Sequence, residues 1–179
     1  MSSILKVDQL QDSGGNNLVT SNGSGVITSS AFGKIGQVVQ GLTSTETNVT
    51  TNSFTDTTLS ASITPSSASS KVLIMVSQNI HISDNTSGVY GGIRLLRGTT
   101  TIYTPSQNDG NGPFHVGGGA FTDLYNVIAV NYLDSPASTS ATTYKTQGAI
   151  YNSQDQITFQ KSAGTTVGKS TIVLMEILP

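Results

Sequence analysis

The sequence predicts an all-β protein: an antiparallel β-sandwich or barrel preceded by an extended N-terminal arm. Three observations predict it. Ala, Leu, Glu, Lys and Arg never gather with a 3.6-residue period, so helix signals are nearly absent. Thr, Val, Ile, Tyr and Ser dominate, and most of these suit strands. About nine such runs recur at short spacing, bounded by Gly, Ser, Pro and Asn turns.

The opening "SSILKVDQLQDSGGNNLV" (residues 2–19) has two short alternating stretches, 4–10 and 18–19, around the turn cluster at 14–17. It is too small to bury a core. "TSNGSGVITSSAFG" (residues 20–33) is a Gly/Ser-type connector. The chain therefore divides into an arm and linker, 1–33, and a β domain, 34–179. A fragment that cannot fold alone is built to dock, and its apolar residues Ile4, Leu5, Val7 and Leu10 are the expected docking contacts.

The β domain starts with "IGQVVQG" (35–41), then "SFTDTTLSASITP" (53–65), stopped by Pro65, which has no N–H to give a ladder. "KVLIMVSQNIHI" (71–82) is a long strand, and "YGGIRLL" (90–96) with "TTIYT" (100–104) makes a hairpin. "FTDLYNVIAVNYLD" (121–134), "TTYKTQGAIYN" (142–152), "QITFQK" (156–161) and "STIVLMEIL" (170–178) complete the set.

Two of these strands are apolar on both faces. In residues 71–76, Val72, Ile74 and Val76 face one way, and Leu73 and Met75 the other. In residues 171–178, Ile172, Leu174 and Leu178 share a face opposite Val173, Met175 and Ile177. A monomeric sandwich shows polar residues outward. The doubled pattern predicts self-association that covers the second face.

Composition excludes several classes. Charged residues are 10% of the chain and the net charge is −2, so nothing steers it to nucleic acid. No apolar stretch approaches the ~18 residues of a membrane helix, and the start does not read as a secretory signal. Cysteine is absent, so disulfides and Cys-type zinc sites are excluded.

Catalytic chemistry finds no constellation. His81 sits at a strand end and His115 in a glycine-rich loop, with no nucleophile elbow for either. The glutamates are Glu46 and Glu176; Glu176, in the last strand, is expected to meet Lys or Arg or to face solvent. "NDGNG" (108–112) is a turn rather than a calcium loop, because Asp109 has no distal Glu. No catalytic, cofactor or metal residue is assigned. The longest irregular stretch, "TPSQNDGNGPFHVGGGA" (104–120), and the polar tip at 83–88 are the loops most suited to contact a ligand. Asp109, His115, Phe114 and Tyr103 are the candidate receptor contacts, the aromatics as platforms for a sugar face. Phe114 tucking under its own loop is the competing reading.

The opening stretch resembles the start of small tail-fibre-like and virion structural proteins of marine and cyanobacterial bacteriophages, where a similar "LKVD-x-(I/L)-Q" head precedes differing distal domains. "GQVVQGLTSTETNVTTNSFTDTTLSASITPSSASSKVLIMVSQ" (36–78) and "STIVLMEIL" are similar to the domain that follows there. The resemblance implies a trimeric jelly roll of tumour-necrosis-factor-like type whose last strand and neighbours line a three-fold axis. Leu73, Met75, Val173, Met175 and Ile177 would then be trimer or core contacts. It further implies a location on the exterior of the phage particle after synthesis in the host cytoplasm. The implied partners are two more copies of the chain, another virion protein held through the arm, and a host-surface glycan at the distal loops. A capsid-decoration or head-fibre protein, a fibre-borne polysaccharide-degrading enzyme and a free lectin-like protein are the alternatives. A free lectin has no use for a docking arm, and a depolymerase needs acidic pairs.

Overall fold

A computed structural model describes residues 9–21, 23–24, 27–28, 34–83, 88–104, 114–117, 123–150, 156–163 and 167–179; the side chains of 27–28, 83, 88–90 and 114–117 are outside that description. Fourteen strands and no helix occur among the described residues. In chain order they are β1 (Gln9–Gln11), β2 (Asn17–Ser21), β3 (Ile27–Thr28), β4 (Ile35–Thr43), β5 (Thr47–Val49), β6 (Thr55–Ile63) and β7 (Lys71–Ser83). Then follow β8 (Gly88–Arg97), β9 (Thr100–Tyr103), β10 (Phe114–Gly117), β11 (Leu124–Asp134), β12 (Thr142–Ile150), β13 (Gln156–Phe159) and β14 (Ser170–Ile177).

β1, β2 and β3 form a small sheet that pairs only within itself. Its first turn closes on Asp12, whose carboxylate accepts the N–H groups of Gly14 (2.8 Å) and Asn16 (2.9 Å) while Gly15 takes φ +80°. Leu10 is exposed there. Ile4, Leu5 and Val7 lie outside the described residues.

The other strands make two antiparallel sheets. In one, β7 has β11 along one edge and β14 followed by β13 along the other, with β4 and β5 beyond those. In the second, β12 lies between β6 and β8, and β8 carries β9 and β10 on its far edge. The pairs β4/β5, β9/β10 and β13/β14 are therefore each one strand position interrupted by an insertion. The splits add β5 and β10 to the expected strands, and β1, β2 and β3 are the other additions.

Alternation places Val72, Ile74, Val76, Ile80, Ile82, Ile172 and Leu174 of the first sheet against Leu59, Ile63, Ile93, Leu95, Tyr144 and Ile150 of the second, in one core. Each such side chain contributes about 1.5–3 kcal/mol on burial. The arrangement is consistent with a β-sandwich. The sheet edges β4 and β6 close on each other through Gly41, where a Cβ would stand against the Ser60 carbonyl oxygen. A polar seam crosses the core. The Thr57 and Thr146 hydroxyls are 2.5 Å apart, Thr146 donates to Gln78 Oε1 (2.8 Å), and Gln78 Nε2 donates to Ser170 Oγ (3.2 Å). Gln160, with its amide oxygen toward Ser170 and Gln78, donates on to the Thr45 carbonyl.

Three expectations are corrected. Residues 114–117, expected in an irregular loop, are strand β10, with Phe114 opposite Gly91 and His115 opposite Tyr90. His81 lies within β7 and is 2% exposed. Glu176 neither meets a cation nor faces solvent: it is buried, 1% exposed.

Candidate subunit interface

The two outer faces of the domain differ. On the second sheet the outward positions include Asp56, Ser60, Ser62, Arg94, Thr143, Lys145 and Gln147, a polar surface. On the first sheet the register aligns Val38, Met175, Leu73 and Leu133 in one row across β4, β14, β7 and β11. The rows beside it hold Val173 with Met75, flanked by exposed Gln40 and Asn131, and Ile35 with Ile177, flanked by exposed Lys71. Ile35, Val38, Leu42, Val127 and Leu133 are each 49–58% exposed. Leu73, Met75, Val173, Met175 and Ile177 are half-buried by their neighbours alone. Strand spacing and rise make this patch roughly 15 Å by 20 Å. That is about 300 Å², the size of the largest apolar patch on a typical monomer, and a patch of that size is often functional.

The upper rim of this face holds a histidine. His81 Nε2 lies 2.5 Å from Asp123 Oδ1, and its ring packs on Tyr125, centroids 4.5 Å apart. Asp123 is half-exposed, and no described group bonds the buried Nδ1. The Asp123 partnership is not legible in the sequence, because it joins β7 to the residue just before β11, 42 positions away.

The lower end is fixed by Glu176. Its Oε1 accepts the Ser66 N–H (2.7 Å), the Ser66 hydroxyl (2.7 Å) and the Ser70 hydroxyl (2.8 Å), and its Oε2 accepts Gln37 Nε2 (3.2 Å). Room for it comes from an irregularity in the β4–β14 pairing and from Gly36, whose Cβ would stand 2.7 Å from Oε2. Burial raises the carboxyl's pKa, but the bonds from Ser66, Ser70 and Gln37 together outweigh it and bring the group to about 2. A second latch at this end joins the sheets: Tyr144 donates to Asp134 Oδ2 (2.7 Å), which also pairs with Arg97 Nη1 (2.9 Å). Burial first, then Asp134, pushes the Tyr144 phenol up.

Of the candidate receptor contacts, Tyr103 is half-buried, packed on the core and against Tyr132 at 5.6 Å between ring centroids. Asp109 and the side chains of Phe114 and His115 lie outside the described residues. No described group of three or more His, Cys, Asp or Glu is gathered to hold a metal.

The fold and its surfaces thus define an antiparallel β protein with one apolar and one polar outer face. No family model matches the chain, and no curated protein matches it.

Proposed function

We propose that the chain is a non-enzymatic phage virion protein, a homotrimeric fibre or spike that docks through its N-terminal arm and exposes its distal end for host attachment. The observation that carries this reading is the apolar outer face of β4, β14, β7 and β11, which water alone would leave uncovered. Two further copies would cover it where a head-to-tail contact closes after three subunits, the arrangement that the resemblance implies; a two-fold dimer through the same face is the competing assembly.

Strand order supports the same reading. Counting the interrupted pairs as single positions gives eight, in chain order β4/β5, β6, β7, β8, β9/β10, β11, β12 and β13/β14. The sheets then run 1-8-3-6 and 2-7-4-5, the double Greek-key order of a jelly roll. The ends also separate. The described sandwich begins at Lys34 beside Leu178, at the end holding Lys71, Asp134 and Ile177. β7 ends, and β8 and β11 begin, at the opposite end. Lys34 and the 83–88 connection thus lie at opposite ends of the strands, while the segment between Tyr103 and Phe114 leaves and returns midway along the edge of β8.

Light scattering on the full chain tests the assembly: three chains are expected, and a stable soluble monomer would overturn it. Val38→Asp with Met175→Lys is expected to give a folded monomer. A protein inventory of purified particles tests the location. Absence of the chain would sink the virion reading whatever its oligomeric state.

A further inference from the structure

We infer that the polar outer face carries a binding site for the carboxylate of an acidic sugar, built on Lys145 and Ser60, with Arg94 as a second positive charge beyond the cavity wall. Charge is scarce here, 18 residues in all (8 basic and 10 acidic), yet three of them meet at one level of three adjacent strands. Lys145 Nζ donates to Asp56 Oδ2 (2.8 Å) and Gln147 Nε2 to Asp56 Oδ1 (2.6 Å). Arg94 Nε and Nη2 both donate to Gln147 Oε1 (2.8 and 2.6 Å), and its guanidinium lies 4.3 Å over the Phe54 ring. Each Asp56 oxygen therefore has a donor, and Gln147 is engaged at both ends. What the cluster has left over is donors: two N–H bonds of Lys145 and Nη1 of Arg94. Its net charge is +1 on a chain of net charge −2. Surplus donors and positive charge fit an anionic group.

A receptacle lies beside them. β6 sets residues 57, 58 and 59 against the single residue Thr146 of β12. Thr57 and Leu59 turn inward, to the polar seam and the core, and Thr58 between them takes the left-handed region at φ 65°, a conformation disfavoured for a β-branched residue. The bulge opens a cavity of about 70 Å³ lined by Asp56, Thr58, Leu59, Ser60, Lys145 and Thr146. That volume accepts a carboxylate, with Lys145 at its wall. The Ser60 hydroxyl remains for a ring hydroxyl, which separates an acidic sugar from a simple anion. This inference stands whether or not the chain sits on a particle.

The test is a titration of the full chain with glucuronate, glucose and acetate, read by amide chemical shifts and calorimetry. Glucuronate is expected to move the signals of Ser60, Lys145 and Thr146. Glucose and acetate are each expected to bind at least tenfold more weakly, and added salt to weaken glucuronate. Lys145→Met is expected to lower glucuronate affinity at least tenfold. Ser60→Ala, which keeps the charges, is expected to lower it severalfold and serves if Lys145→Met does not fold. Equal binding of glucose and glucuronate, full binding by both variants, or shifts confined to other strands would each overturn the proposal.

Discussion

Replacing Glu176 by Gln removes a buried carboxylate that has no cation beside it. Its charge is held by hydroxyl, amide and backbone N–H donors alone. Bringing a carboxyl from its ordinary 4.5 to about 2 corresponds to about 3 kcal/mol in favour of the folded, charged form. The folded-state value is the depressed one. The contribution is therefore complete above about pH 5, falls as pH drops from 4.5 towards 2, and is gone below that. Glu176→Gln should cost about 3 kcal/mol at pH 7, because an amide offers one acceptor oxygen and turns its NH₂ on groups that are themselves donors. Urea unfolding of both proteins at pH 7, 4 and 2.5, at one protein concentration because association is linked to stability, measures the gap. It should shrink towards zero at the acid end. Subtracting the variant also removes the contributions of the chain's other carboxylates. A gap that stays constant from pH 7 to 2.5, or no gap at pH 7, would refute the claim that this carboxylate is charged in the folded protein and held by these donors.

The remaining predictions concern backbone and boundary. Gly41→Ala places a Cβ against the Ser60 carbonyl and should cost about 2 kcal/mol or more by thermal unfolding, since two backbones rather than a flexible side chain must part. Ala137 sits at φ 51°, so Ala137→Gly should raise stability by about 0.5–1 kcal/mol, a rise in melting temperature of about 1–4 °C for a chain of this length. Deleting residues 1–33 should leave the melting temperature within about 2 °C of the full chain, because β1, β2 and β3 pair only with one another. A truncated chain that fails to fold would make the arm part of the core.

The long strands were legible because their alternation is sustained. β7 and β14 each end within one residue of the expected boundary, and the doubled apolar pattern in both corresponds to a core face and a half-buried outer face. What stayed hidden depends on distant partners. Glu176 reads locally as a charge among apolar residues, and its donors Gln37, Ser66 and Ser70 lie 106 to 139 positions away. β10 was unreadable for a different reason. Its glycine-rich surroundings carry a turn signature, and only the edge of β8 makes residues 114–117 a strand. His81 pairs with Asp123, the residue before β11, a relation that the β7–β11 register creates and composition does not.

The interruptions bear on how such a chain divides its labour. A strand position can be split only where both halves keep their ladder, and β8 and β7 supply it: β8 holds β9 at residues 95–97 and β10 at 88–91, while β7 holds β14 at 71–77 and β13 at 80–83. Both halves of a split position therefore keep their ladder whatever chain joins them, at a closure cost that grows only slowly with its length. The lower end bears none of these splits. It carries the Glu176 anchor and the Tyr144–Asp134–Arg97 latch instead, beside Lys34, where the arm joins. The β13/β14 split lies opposite residues 78–79 of β7, beyond the stretch that this end anchors, and the β9/β10 split lies midway along β8.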